Sequence, residues 1–93
     1  MRIEWTPLAK NLRRAIVSYI GRRDSAAARE LNESITKAVQ RVSQFPFSGK
    51  TGRVVDTREC VFHKHYFLVY RVRQDCIEVV AVLHTSQMWP PAC

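Results

Sequence analysis

The hydrophobic period of this chain changes once, near Gly49 to Arg53, and that change excludes most folds open to 93 residues. Before it, apolar residues recur at helical spacing. Leu8, Leu12, Ile16, Tyr19 and Ile20 make one stripe, and Leu31, Ile35, Ala38 or Val39, and Val42 make a second that runs to about Gln44, each the signature of an amphipathic helix. After it the period is two. Arg53 to Val55, Arg58 to Phe62, Tyr66 to Arg73 and Ile77 to Leu83 are short runs rich in β-branched and aromatic residues, which is the pattern of strands in a meander.

The boundaries carry their own chemistry. Arg2 to Trp5 reads as a strand that stops where Thr6 can cap a helix and Pro7 suits its first turn. Gly21 to Asp24 breaks the two helices, with Asp24 or Ser25 as the second N-cap. A link this short makes them an antiparallel hairpin. Pro46 ends the second helix, and Phe45 and Phe47 are expected to fasten the exit loop to the core. The order β-α-α-β-β-β(-β) predicts an α+β domain, 1–93, with an N-terminal strand and a helical hairpin packed on a twisted antiparallel sheet. Tyr66, Leu68, Tyr70 and Val72 are expected on one face, with Phe67, Val69, Arg71 and Arg73 on the other. Ile77, Val79, Ala81 and Leu83 should alternate with Glu78, Val80 and Val82. One face lies under the hairpin, while the other offers a partly apolar, partly basic surface to a partner. Trp5, Tyr66 and Tyr70 read as core, and residues 90–93 as a mobile tail.

Charge narrows the partner. Lys and Arg number 15 against 8 acidic residues, a formal +7, which favours an anionic partner, nucleic acid or acidic polypeptide. No apolar run approaches the ~20 residues of a membrane span, and the N-terminus lacks the apolar segment of a signal peptide, so a cytoplasmic location is expected. Cys60, Cys76 and Cys93 show no C-x-x-C spacing, which argues against a disulfide framework or a zinc site. Cys60 and Cys76 read as small apolar packing groups. No metal or cofactor is expected.

Several strings, in this order, resemble the RelE/ParE superfamily of toxins from type II toxin–antitoxin modules. They are Ile3-Glu4-Trp5-Thr6 before the first helix, Tyr19-Ile20 near its end and Ala26-Ala27-Ala28-Arg29 in the second. Phe45-Pro46 with Gly49, Thr57-Arg58-Glu59, Tyr66-Phe67-Leu68-Val69-Tyr70-Arg71-Val72, Val82-Leu83-His84 and Trp89-Pro90 complete the set. The resemblance implies a toxin neutralised by a cognate antitoxin that wraps over it, in a module of the plasmid-stabilisation kind. Ribonuclease members cut messenger RNA on the ribosome, whereas ParE-like members inhibit DNA gyrase.

Metal-free RNA cleavage needs a base, an acid and cations on the phosphorane. Ribonuclease members place Arg or Lys on the central strands, and Arg, His or Tyr at the last strand and terminal segment. This chain departs there, reading His84-Thr85-Ser86-Gln87-Met88-Trp89 after Leu83. An acid/base site built from Glu59, His63 or His65, and His84 is the ribonuclease alternative, with ribosome and mRNA as partners. The ParE-like reading makes the chain a binding protein whose target-binding candidates are Arg58, Lys64, Arg71, His84 and Trp89. A third reading is a degenerate toxin that binds antitoxin and co-regulates an operon. Simpler roles compete for each residue. His63 and His65 fit a solvated turn around Lys64, and His84 fits a strand-end hydrogen bond. Arg58 or Arg71 could pair with Glu59 or Glu78, and Trp89 could lid the core. Lys10, Arg13 and Arg14 read as flexible, solvated cations on the outer face of the first helix.

Overall fold

A computed structural model describes residues 1–91, in the order β1 (Arg2–Trp5), α1 (Pro7–Gly21), α2 (Ser25–Gln44), β2 (Lys50–Thr51), β3 (Arg58–His63), β4 (Tyr66–Val72) and β5 (Cys76–His84). The expected α+β layering holds. Both predicted caps form, with the Thr6 side chain accepting from Ala9 N–H and Asp24 accepting from Ala27 N–H. Ala28, Leu31, Ile35, Ala38, Val39 and Val42 of α2 are buried on one stripe. In α1 the stripe is rotated from the expected one: Ala9 is fully buried, while Leu8 and Tyr19 are exposed. Ile16 and Ile20 of the expected stripe do pack against the main core, joined by Val17.

The sheet runs β1-β5-β4-β3-β2. It is mixed rather than antiparallel throughout, because β1 pairs with β5 in parallel, Trp5 opposite Val79. The contact continues one residue on. Thr6 N–H donates to Val79 O at 3.0 Å and the Thr6 hydroxyl donates to Val80 O at 3.0 Å. The start of α1 is thereby stapled to the middle of β5, which extends the parallel pairing of β1 with β5 by one residue.

A bulge sits at that staple. Val69 faces Ala81 and Tyr70 faces Val79, leaving Val80 without a partner on β4. An extra residue reverses the side-chain alternation beyond it. Ile77, Val79 and Val82 therefore join the main core with Leu68 and Tyr70, whereas Ala81 and Leu83 cross to the opposite face with Phe67 and Val69. The expected uninterrupted alternation from Ile77 to Leu83 is corrected on this point. That second face is not open: Trp89 and Leu12 pack on its apolar cluster, and the Arg53 guanidinium lies 5.1 Å from the Phe67 ring centre.

Two further expectations change. Arg53 to Val55 is not a strand. The short β2 forms earlier, and residues 52–57 close a turn in which Gly52 N–H donates to Thr57 O, Thr57 N–H donates to Val54 O, and Asp56 takes φ 64°. Phe45 and Phe47, expected in the core, are 61% and 68% exposed. Tyr70 fastens the exit loop in their place. Its buried hydroxyl donates to Pro46 O at 2.8 Å and accepts from Gly49 N–H at 3.0 Å. Gly49 is required here, since a Cβ would stand 2.6 Å from that hydroxyl and 2.9 Å from Glu59 O. Cys60 and Cys76 are buried free thiols, as expected, and Trp5 and Tyr66 are partly buried against the core. The expected tail mobility concerns in part Ala92 and Cys93, which lie outside the described residues, as does any packing of Cys93.

Burial raises the Tyr70 phenol above its ordinary value, with the Gly49 N–H bond pulling the other way. A folded value above the unfolded one means that the stability supplied by the neutral phenol is fully present below about pH 10 and is lost as pH rises through the folded value. Tyr70→Phe leaves Gly49 N–H and Pro46 O without their partner. It should lower stability at neutral pH by about 1–3 kcal/mol, read as a urea midpoint shift. It should also remove part of the alkaline loss, the remainder coming from Tyr66, whose phenol burial raises as well.

Candidate functional site

Two clusters of polar side chains lie at opposite ends of β4, and the predicted site residues divide between them. The first is a cleft of about 500 Å³ at the Val72 end, lined by Arg58, Arg71 and Arg73 together with Phe47, Thr51 and Thr57. Each arginine has a structural reason for its place. Arg58 opens β3 next to the exit loop, where its Nη1 donates to Gly49 O at 2.8 Å and Phe47 O at 3.2 Å. Its guanidinium lies 5.0 Å from the Phe47 ring centre. Arg71 faces Glu78 across the β4–β5 ladder, and Glu78 Oε1 takes both Arg71 Nη1 at 3.4 Å and Arg73 Nη2 at 3.2 Å. One carboxylate oxygen holds two cations side by side. These partly exposed pairs add little to stability, but they restrict two long side chains that would otherwise sample many rotamers.

Glu59 does not join an acid/base pair. Its side chain is 2% exposed, its Oε2 accepts from Arg53 N–H at 3.0 Å and its Oε1 lies 3.7 Å from Arg53 Nε. The carboxylate is committed to holding the 52–57 turn over the Phe67 and Val69 face.

The second cluster gathers all three histidines of the chain at the Tyr66 end. His65 and His84 stack with ring centres 5.5 Å apart, Tyr66 meets His84 edge-on at 5.1 Å, and His63 lies 5.4 Å from Tyr66 and 6.2 Å from His65. His63 and Lys64 are exposed in and beside the β3–β4 turn. The ring nitrogens already have local work: His63 Nδ1 accepts from His65 N–H at 3.1 Å, and His84 Nδ1 accepts from Ser86 N–H at 3.0 Å. That fits the turn and strand-end roles weighed for them. Among the described residues no group of His, Cys, Asp and Glu is arranged to hold a metal ion.

Trp89 packs, partly buried, on the cluster of Phe67, Val69, Ala81 and Leu83, the placement that a lid requires. Its Nε1 is buried without an acceptor among the described residues. Arg58 and Arg71 thus line one cleft from opposite faces of the sheet; Lys64 and His84 lie at the far end, and Trp89 packs on the Phe67 and Val69 face. Sequence reasoning missed Arg73, Phe47 and Arg53 as participants. Arg73 carried a signal, since it stands two residues from Arg71 on the same expected face, and Glu78 was already named as a possible partner.

A family model described as the ParE toxin of the type II toxin–antitoxin system, parDE, matches residues 3–89. The chain belongs to the ParE toxin family. A Sinorhizobium fredii protein named as a candidate toxin, Y4kP, is 37% identical over 90 residues, covering 96% of this chain and 93% of that protein. Among solved structures, a chain of the chromosomal ParDE system of Pseudomonas aeruginosa superposes with a TM-score of 0.80 at 17% identity, covering 92% of this chain and 97% of that one. A YoeB/ParE toxin of Agrobacterium tumefaciens gives 0.65 at 18% identity, over 90% and 98%. HP0894 of Helicobacter pylori gives 0.63 at 21% identity, over 94% and 97%. At these identities the structural matches speak for the fold. This ParE family member is a toxin of the type II class, and no helix among its described residues is long and apolar enough to cross a membrane.

One cation expected to be flexible is fixed. Arg13 Nε donates to Asn32 Oδ1 at 3.0 Å, its Nη2 donates to Thr36 Oγ1 at 2.8 Å and Asn32 O at 3.2 Å, and the guanidinium lies 5.0 Å from the Trp5 ring centre. Burial lowers its pKa from the ordinary arginine value. Arg13 clips α1 to α2 and covers β1, so Arg13→Ala should cost about 1–2 kcal/mol rather than nothing. Arg14→Ala, on the exposed side of the same helix, should stay within ~0.5 kcal/mol. Paired urea denaturation curves check the difference.

Proposed function

We propose that this ParE family toxin arrests growth by binding DNA gyrase and blocking replication, without cutting RNA, and that a cognate antitoxin with an acidic, amphipathic segment neutralises it in the cytoplasm. The observation that supports this reading is the separation of the two polar clusters. Arg71 and Tyr66 stand five residues apart on one strand, roughly 17 Å at strand rise. An acid or base among the histidines is therefore far from the arginines that would stabilise a phosphorane, whereas general acid–base chemistry needs every group within hydrogen-bond reach of one phosphate. Glu59 is spent on Arg53. What remains is a set of guanidinium groups held on strand ends, suited to recognition. Guanidinium restrained before contact loses less entropy on binding.

Expression of the chain should depress thymidine incorporation before methionine incorporation. Arg71→Ala and Arg73→Ala should each relieve arrest, a lost charge-assisted contact costing about 1.5–3 kcal/mol. Arg14→Ala should leave arrest intact. Early loss of translation, with messenger RNA cut at codon boundaries, would establish the ribonuclease alternative instead. A neighbouring small acidic protein should bind the toxin at low ionic strength, with association slowed by salt.

A further inference from the structure

The arginine cleft has a feature that contact with an acidic protein does not require. Phe47 lies on its wall with 68% of its surface exposed, and the Arg58 guanidinium stacks near the ring at 5.0 Å. A guanidinium layered with an exposed aromatic ring is the arrangement on which a nucleobase continues the stack, because every base presents a π-face whatever its sequence. Lining the same cleft from the other face of the sheet, Arg71 and Arg73 are tied to the same oxygen of Glu78, so two planar donor forks stand together at the end of β4. Forks of this kind match the paired oxygens of a phosphate. Thr51 adds a hydroxyl-bearing residue to the lining.

The cleft cations are all arginine. Asp56 lies on the lining and lowers the local charge, which weakens attraction to any anion equally and so does not favour carboxylate over phosphate. The stacking platform does discriminate, since a glutamate- or aspartate-rich segment gains nothing from it. We infer that this cleft binds a single-stranded phosphodiester chain, with a base on Phe47 and the adjoining phosphates on Arg71 and Arg73. The inference rests on the proposed function in one respect: the cleft is part of the toxic surface there, and its ligand is here a nucleic-acid strand rather than protein.

The test is fluorescence anisotropy of purified full-length toxin with labelled dT12, at several salt concentrations and without gyrase. Binding should weaken with salt at a log–log slope of about −1.4 for two phosphate contacts on a single strand. Arg71→Gln and Arg73→Gln should each weaken binding and reduce the slope by ~0.7. Phe47→Ala should weaken binding about tenfold with the slope unchanged, the separation expected of stacking from charge. Arg14→Gln removes the same charge outside the cleft and should alter neither quantity. A parallel U12 series tells DNA from RNA as the source of the strand, the tighter of the two naming it.

Equal weakening by Arg14→Gln and Arg73→Gln, or no effect of Phe47→Ala, would overturn the inference in favour of diffuse charge attraction. Displacement of dT12 by poly-glutamate at equal concentration of charge would overturn it in favour of an acidic peptide. Failure here is separable from failure of the functional reading. If Arg73→Gln abolishes growth arrest while dT12 does not bind, the toxic surface stands and the nucleic-acid ligand falls. If dT12 binding depends on Arg73 while Arg73→Gln still arrests growth, the ligand stands and the toxic surface lies elsewhere.

Discussion

The fold turns on one threonine and one extra residue. Thr6 ends β1, caps α1 through Ala9 N–H, and donates through its backbone and hydroxyl to the carbonyls of Val79 and Val80. The bulge leaves Val80 without a partner on β4, so the Val80 carbonyl is free to accept, and a buried carbonyl without a donor is costly. Each feature answers the other: without the bulge the hydroxyl would lack this acceptor, and without Thr6 the irregular carbonyl would lack its donor. The seat of α1 on the sheet and the crossing of Ala81 and Leu83 to the second face both follow from that junction.

The crossing has a further consequence for the surface. A regular β5 would have directed Ala81 and Leu83 under the helices and left the other face poorer in apolar groups. With the bulge, that face carries a cluster of its own, and irregular segments have to cover it. Trp89 does so from beyond β5 and Arg53 does so from the 52–57 turn. Glu59 holds Arg53 in place at the expense of its own solvation, and breaking such a pair by removing one member leaves a buried charge uncompensated. The residue that most resembled a catalytic carboxylate is thus structural, for a reason that begins at Val80.

Local order was legible in the sequence because it is local. The helices, both N-caps, the β3–β4 turn and the change of period are decided by residues within a few positions of one another. What escaped was decided across the chain. The run from Ile77 to Leu83 alternates without a break, and its bulge is fixed by Thr6, more than seventy residues away. The parallel pairing of β1 with β5 is likewise made across the chain. Phe45 and Phe47 looked like core because they are large and apolar, yet the loop is tied down by the Tyr70 hydroxyl, a contact that periodicity does not encode. Arg13 looked solvated because it lies off the expected apolar stripe of α1; the stripe itself is rotated toward Ala9, and that turns Arg13 onto Asn32 and Thr36. The candidate cleft was legible in part. Arg58 and Arg71 stood out in the sequence as strand cations, and Arg73 and Phe47 joined them on its lining only once the strand ends met.

Within a fold that serves both binding and cutting, the distribution of charge along β4 matters more than the inventory of residues. Imidazoles, a carboxylate and arginines are all present, and a list of them would satisfy a ribonuclease. Their positions separate the roles. The imidazoles supply acceptors to backbone N–H groups at one end, the carboxylate fastens a turn on the second face, and the guanidinium groups stand together at the other end. Guanidinium keeps its charge at any pH a cell reaches and cannot serve as a proton donor there. Glu78 sharpens this by holding Arg71 and Arg73 on one oxygen, a modest gain for the folded state that fixes the spacing of two positive charges before a partner arrives. The spacing of those charges therefore comes from geometry set by β4 and β5, whose register shifts at the bulge.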